Sequence, residues 1–341
     1  MNRTQTRTQF RKVKEQQADR AERICTTEFL DRYVRPHLAA ADAAGGTWRT
    51  KVIQLDGSGA ATVQVELDDS PPVFAKLFPY EDGPAVHAKL QALRGAGLGT
   101  GSAFQAVEPL AWYGEEKVLL CQGAPGRAMS DLLGGNSEDL ARASARAGSW
   151  LAHLHGTDLR VGAPESLLVT GELTSLAKRL AKVAADQPDY VDTALGMLEQ
   201  LDGLTRDTAD GILAQSHGQY RPLHVFLTED IVTVIDLDRS APADPARDAA
   251  EFLHRLRVGV YYATGDITRA DQPSAAFLDA YREATRGDLL RNLRFHWARF
   301  ILHSVNRSIK SGTADWRDGG DAEFRLYRDE FDRVVEGRAG A

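Results

Sequence analysis

Cysteine is almost missing from this chain of 341 residues: only Cys25 and Cys121 occur. They are far apart and in apolar or mixed surroundings, which excludes a disulfide framework and a cysteine metal cluster. Long apolar runs are missing as well. No stretch approaches the roughly 20 residues that cross a bilayer, and the amino-terminal stretch has no apolar middle section of a secretory signal, so a soluble cytoplasmic chain without membrane partners is expected. Positive charge is in the minority, with 41 Lys and Arg against 48 Asp and Glu and a net charge of −7. A nucleic-acid binder that neutralises phosphates over a broad face needs the opposite balance. The one basic cluster, Arg3 to Lys14, is followed by Glu15, Asp19 and Glu22 and reads as a solvated or frayed helix end. Gly-x-Ser-x-Gly, Cys-x-x-Cys and His-Glu-x-x-His elements are absent too, which weighs against hydrolase, redox and metalloprotease chemistry. His153 and His155 stand two positions apart and do not share a helix face, so they form no zinc pair.

What is present is ordinary in bulk and ordered in pattern. Hydrophobic residues make up 43% and charged residues 26%, close to globular averages. The length exceeds what one hydrophobic core usually serves, and a two-lobed enzyme fits it. Apolar residues recur at helical intervals over 18–43 and 84–94. Between and after these, strands are expected at Lys51 to Leu55, Ala61 to Leu67, Val73 to Phe78, Val107 to Tyr113 and Lys117 to Cys121. The stretch Asp56-Gly57-Ser58-Gly59 supplies a hairpin turn between the first two. From Ser130 onward helices are expected over 137–155, 171–186, 188–203, 246–262, 274–286 and 289–310. One β pair, Val225 to Leu227 and Val232 to Ile235, interrupts them. A β-rich front and a helical back make an α+β protein. Its two domains are expected at 1–121 and 122–341, with the boundary in Gln122-Gly123-Ala124-Pro125-Gly126. No internal repeat or low-complexity segment occurs.

The chemistry concentrates in His217-Gly218-Gln219-Tyr220-Arg221-Pro222-Leu223-His224-Val225 and, nine residues on, Val234-Ile235-Asp236-Leu237-Asp238. This arrangement resembles the catalytic loop and metal-binding strand of the aminoglycoside phosphotransferase and choline kinase superfamily, usually His-Gly-Asp-x-x-x-x-Asn followed by Ile-Asp. Other landmarks stand in the family's order. Lys76 in Phe-Ala-Lys-Leu resembles the strand lysine that holds nucleotide phosphates. Leu119 to Gly126, through Gln122 and Gly123, resembles the strand and hinge that grip adenine. Leu154-His155 matches a common Leu-His pair. Asp244-Pro245-Ala246-Arg247-Asp248 matches an Asp-Pro-x-x-Asp element whose last aspartate braces the loop. The resemblance spans roughly residues 45–310 and implies a two-lobed protein-kinase-like fold that uses ATP and Mg²⁺.

Elementary chemistry supports the same roles. A glycine turn such as Gly57-Ser58-Gly59 can lay backbone N–H groups over phosphates, although any hairpin can contain one. A lysine on the next strand adds positive charge. A carboxylate at a strand end can hold Mg²⁺ against phosphate oxygens. Asp236 is the expected ligand. Asp238 either faces away, if the strand continues, or joins the site as a ligand or base, if the strand ends there.

Three positions depart from the family pattern. Gln219 replaces the aspartate that takes the acceptor's proton, and a carboxamide is no useful base near neutral pH. His224 replaces a metal-binding asparagine, and imidazole suits Mn²⁺ or Zn²⁺ better than Mg²⁺. The helix after Lys76 offers Val86 and Lys89 where a glutamate would pair with that lysine, and Glu81 comes early. In the late helix, His296, Trp297, Arg299, His303 and Arg307 either line an acceptor pocket or pack as an ordinary helix with a basic face.

The resemblance implies an ATP-dependent kinase acting on a hydroxyl of a small molecule or of a peptide Ser or Thr, the latter in peptide natural-product maturation. Lys76 would hold phosphates, Asp236 the metal, and His217 with Gln219 the acceptor end. A second reading is a pseudokinase scaffold that binds nucleotide, peptide or a partner enzyme, motivated by the three changed positions. A third is nucleotidyl transfer on the same fold.

Overall fold

The computed structural model describes residues 15, 18–38, 46–55, 61–68, 70–79, 82–164, 169–209, 213–286 and 288–338. The chain forms two compact units, Met1–Pro125 with Thr233–Asp238 and Gly126–Val232 with Arg239–Ala341. A cut after Cys121 therefore differs from the observed division in two places. Residues 122–125 lie with the first unit, and so does the distant segment Thr233–Asp238, where the Val107 N–H donates to the Val234 carbonyl at 2.9 Å.

The first unit is built on five antiparallel strands: β1 (Trp48–Leu55), β2 (Ala61–Leu67), β3 (Val73–Leu77), β5 (Pro109–Tyr113) and β6 (Val118–Gln122). Their order across the sheet is β1-β2-β3-β6-β5. Alternation explains the faces. Along β2 and β3 every second residue is buried, because successive strand side chains point to opposite sides. Val63, Val65, Val73, Ala75 and Leu77 join Ile24, Phe29, Leu30 and Val34 in one core. Lys76 consequently lies on the opposite face, in register with Thr62 on β2 and Leu119 on β6. The helix α1 (Gly83–Leu93) and the short strand β4 (Phe104–Ala106) follow β3.

The amino-terminal helix expected over 18–43 is shorter and broken. Thr26 caps a turn by accepting from the Phe29 N–H at 3.4 Å. A wide turn, Leu30–Val34, and a tight one, Arg35–His37, follow, and Leu38 is extended. Pro36 explains the ending, since it lacks the N–H an α-helix needs. Residues 39–43 of the expected helix lie outside the described residues.

The second unit is helical: α2 (Ser137–His155), α3 (Val169–Asp186), α4 (Val191–Gly203), α5 (Pro245–Thr264), α6 (Asp271–Ala284), α7 (Leu293–Ser311) and α8 (Ala322–Val335). Gly148 allows α2 and α6 to touch, because a Cβ there would lie 2.3 Å from the Phe277 carbonyl oxygen. Stacked rings build the centre, with Trp150 on Tyr220, Tyr220 on Phe252 and Phe252 on Phe277 at centroid distances of 5.5, 5.2 and 4.3 Å. Short strands complete the unit. β7 (Arg127–Ala128) pairs with β9 (Val225–Leu227), and β8 (Ala214–Ser216) pairs with β11 (Ala241–Ala243). β10 (Val232–Val234) carries the chain into the first unit. The helix α8, which the sequence reading did not include, is tied down by the buried pair Arg257 and Glu330, at 2.6 and 3.0 Å.

Candidate functional site

Within the first unit, Lys76 meets two carboxylates. Its Nζ lies 2.9 Å from Asp236 Oδ1 and 2.5 Å from Asp238 Oδ2. Burial pulls the ammonium's pKa down, but the charges and hydrogen bonds of Asp238 and Asp236 outweigh this and hold it above the ordinary lysine value. The lysine therefore stays charged across the neutral range.

A local bend explains how residues two positions apart reach one ammonium. β10 ends at Val234, Asp236 takes a left-handed φ of 63°, and Leu237–Arg239 closes a tight turn. Asp tolerates that conformation better than most residues. Of the two alternatives open for Asp238, the strand's end places it beside Asp236. Lys89, on α1, donates to the Asp238 carbonyl at 2.7 Å and steadies the same turn. Val86 is buried in the core, and Glu81 lies outside the described residues. Asp236 and Asp238 are thus carboxylate partners of Lys76 in a chain whose α1 offers none.

Gln122 ends β6 and Gly123 follows it. The Gln122 N–H donates to Glu108 O at 2.9 Å and the Gly123 N–H to Pro72 O at 2.7 Å. Both donors are committed to the sheet, so contact with a base by these two residues would use carbonyl oxygens. Burial, with the Asp238 charge, pushes the Cys121 thiol up to about 12, which keeps it protonated and unreactive. The turn residues Gly57, Ser58 and Gly59 lie outside the described residues.

In the second unit, Asp248 organises the loop. Its carboxylate accepts from the His217 N–H at 2.6 Å and the Gly218 N–H at 2.9 Å. On its far side Asp248 Oδ2 lies 3.3 Å from His155 Nε2, while His155 Nδ1 lies 2.7 Å from the Tyr281 hydroxyl. Burial raises the Asp248 pKa, yet His155, His217 and the loop N–H groups prevail and hold it below the usual carboxylate value. The brace that the resemblance implies is therefore present, and the Leu-His pair supplies its backing. His153 is exposed.

Gly218 is the residue this loop requires. Its φ is +84°, and a Cβ would sit 2.6 Å from the Arg239 carbonyl oxygen. Gln219 is held by its main chain: its N–H donates to His217 Nδ1 at 3.2 Å and its carbonyl accepts from His224 Nδ1 at 3.0 Å. In the neutral ring this donation places the proton on Nδ1. The rings of His217 and His224 stack at 5.7 Å. The Gln219 carboxamide is half-buried, and no hydrogen bond to the described residues restrains it.

Of the five late-helix candidates, Arg307 is exposed and the other four separate into two groups. His296 and Trp297 belong to the packing: His296 Nε2 lies 3.0 Å from Asp244 Oδ2, and Trp297 is buried. Arg299 and His303 instead border a cavity of about 300 Å³ together with Glu172, Arg179 and Arg247. The sequence reading missed the last three as site residues, because they come from α3 and α5 and share no local pattern with α7. Among the described residues, no group of three or more His, Cys, Asp or Glu side chains gathers as a ready-made metal centre. No described helix is long and apolar enough to cross a membrane.

Comparison with known proteins gives concordant results. Residues 51–296 match the model of a family described as the phosphotransferase enzyme family. Among solved structures, the chain is similar to a choline kinase from Cryptosporidium parvum Iowa II, with a TM-score of 0.59, 11% identity, and coverage of 92% of this chain and 97% of that one. It is similar to a choline/ethanolamine kinase family protein from Mesorhizobium loti, with a TM-score of 0.55, 14% identity, and coverage of 87% and 94%. A thermostable mutant of aminoglycoside phosphotransferase APH(4)-Ia, in ternary complex with ADP and hygromycin B, gives 0.56, 15%, 86% and 95% for the same measures. At these identities the likeness is one of fold. No curated protein matches the chain by sequence.

Proposed function

The chain belongs to the phosphotransferase enzyme family, and on that premise we propose that it transfers the γ-phosphoryl group of ATP to a hydroxyl of a small molecule. The observation that carries this reading is the cluster of Lys76 with Asp236 and Asp238. An ammonium that stays charged suits phosphate oxygens. Two carboxylates side by side suit Mg²⁺, which is commonly bound through one or two carboxylates plus substrate phosphates. The donor set therefore fits the ion, and when bound Mg²⁺ would neutralise charge on the phosphate oxygens. The names of the structural neighbours put choline and aminoglycosides in the acceptor role, and we carry over only the class, a small molecule.

In this reaction the acceptor oxygen forms the new bond to γ-phosphorus, and the bond to the β,γ-bridging oxygen breaks, releasing ADP. The transition state is loose, so positioning and charge matter more than a strong base. Gln219 orients the hydroxyl by accepting its hydrogen bond, and the proton leaves to a phosphate oxygen or to water. His217 and His224 hold the Gln219 main chain at both ends, so they act as positioning residues.

The test is turnover. The protein with ATP, Mg²⁺ and a panel of hydroxyl compounds should release ADP and yield a phosphorylated product, and Lys76→Ala and Asp236→Ala should each remove that activity. Equal ADP release by all three proteins would end the assignment. A second reading, a nucleotide-binding scaffold without turnover, is favoured by the carboxamide at Gln219. It gains if ATP binds in a metal-dependent way, no panel compound is phosphorylated, and Gln219→Asp brings no activity.

A further inference from the structure

The turn that carries Asp238 is held from the helix that follows β3. Lys89, on α1, donates from Nζ to the main-chain carbonyl of Asp238 at 2.7 Å, across 149 positions of sequence. The carboxylate of the same aspartate lies 2.5 Å from Lys76 Nζ. Asp238 is therefore gripped at two points inside the first unit, its backbone by a helix and its side chain by a strand.

The turn needs a grip of this kind. β10 ends at Val234, Asp236 has a φ of 63°, and Asp238 is the middle residue of the tight turn Leu237–Arg239. A left-handed residue other than glycine persists where its surroundings enforce it. Leu237 is buried and anchors one side of the turn; the bond from Lys89 anchors the next residue. The helix behind that bond is firmly seated, with Val86, Leu90 and Leu93 buried. Lys89 stands three positions after Val86 and four before Leu93, so it shares their side of the helix. A solvated surface lysine keeps its ammonium in water. Lys89 is half-buried and commits a donor to a carbonyl oxygen.

We propose that Lys89 is a positioning residue for the metal site: by holding the Asp238 backbone it keeps the Asp238 carboxylate beside that of Asp236, so that both face one ion. The purpose of that ion rests on the phosphotransferase reading; the positioning does not. Mg²⁺ demands near-ideal geometry from its oxygen ligands, and removing a group that orients a ligand typically costs about 10- to 100-fold in metal affinity. The charge of Lys89 acts in the opposite sense. An ammonium close to two carboxylates repels a dication, so losing Lys89 as a charge would tighten the metal, whereas losing it as a holder loosens it.

The experiment measures Mg²⁺ alone, by calorimetric titration and thermal melts of the full chain carrying Lys76→Met, which removes the competing Lys76 ammonium. In that background Lys89→Met should weaken Mg²⁺ binding by about tenfold and shrink the rise in Tm that Mg²⁺ produces. Lys89→Arg, which keeps a charged donor, should restore most of both. Asp238→Ala should also weaken Mg²⁺ binding, and Lys89→Met added to it should bring no further loss, since no carboxylate is left to place; general destabilisation would add to the loss. Unchanged or tighter Mg²⁺ binding in Lys89→Met, a further loss on top of Asp238→Ala, or no Mg²⁺ binding by Lys76→Met overturns the proposal. Mg·ATP titrated into the parent separates the two claims. Mg·ATP binding together with Mg²⁺ binding that ignores Lys89 sinks the positioning role alone. Mg²⁺ binding that depends on Lys89, without Mg·ATP binding, sinks the phosphotransferase reading and leaves the positioned carboxylates standing.

Discussion

Lys76 and Asp236 stand 160 positions apart in the chain, and Nζ of one lies 2.9 Å from Oδ1 of the other inside a single compact unit. Asp238 completes the cluster at 2.5 Å. Removing the ammonium leaves two carboxylates facing each other in a partly buried place. Breaking a fully buried pair costs about 3 to 5 kcal/mol; with these side chains 22 to 33% exposed, a smaller loss of about 1 to 3 kcal/mol is expected for Lys76→Met. Millimolar Mg²⁺ should restore part of it and should raise the variant's Tm more than the parent's, because a bound ion stabilises the folded state. A thermal melt with and without Mg²⁺ checks this, and an equal response of both proteins would speak against the carboxylates as a metal site.

The brace under the loop has its own signature. Asp248 accepts both the His217 and Gly218 N–H groups while almost fully buried. Asp248→Asn keeps the shape but loses the charge and one acceptor oxygen, and should cost about 2 to 4 kcal/mol in urea unfolding. The Asp248 pKa is depressed in the fold, so the stability it contributes is complete above the unfolded value near 4 and is lost as pH falls through the lower folded value. The parent should therefore lose stability below about pH 4 more steeply than Asp248→Asn.

Gln219 is anchored by its own N–H and carbonyl, while its carboxamide is unrestrained by described residues. Gln219→Asp should accordingly fold normally, within about 0.5 kcal/mol of the parent. If proton transfer to a base adds to the reaction, turnover should rise by about 10²-fold or more. Steady-state kinetics decide, and a rate falling to background would show that the carboxamide has a role aspartate cannot fill.

Burial, with charges from Arg255 and other cations, pushes His254 down to about 3, and its Nε2 lies 2.7 Å from the Ser304 hydroxyl. A histidine kept neutral by the fold lets the unfolded chain bind a proton below about pH 6.5, so stability should decline as pH falls from there toward 3. His254→Gln should flatten the slope of Tm against pH between about 6.5 and 4, at some cost in Tm at neutral pH. An unchanged slope would count against a neutral buried His254.

Much of this architecture is legible in the residues. Strong alternation marks β2, and amphipathic periodicity with an Asn136 cap marks α2, which spans the expected 137–155. Other elements have no local signal. β8 and β11 are three-residue strands reading Ala-Gln-Ser and Ala-Pro-Ala, which carry no β pattern and exist because they pair with each other. The place of Asp238 depends on one left-handed residue, Asp236, and alternation alone left both faces open. Lys76 and Asp236 were readable from motif order, whereas the arginine cavity draws on α3, α5 and α7 and becomes visible only when the helices pack.

The central claim is that Lys76 and Asp236 together hold a metal-bound triphosphate, and calorimetric titration of Mg·ATP tests it most directly. The account expects one site per chain, binding that weakens sharply when Mg²⁺ is withheld, and a loss of about tenfold or more in affinity for both Lys76→Ala and Asp236→Ala. Binding of equal strength in the parent and both variants, with or without the metal, would contradict it.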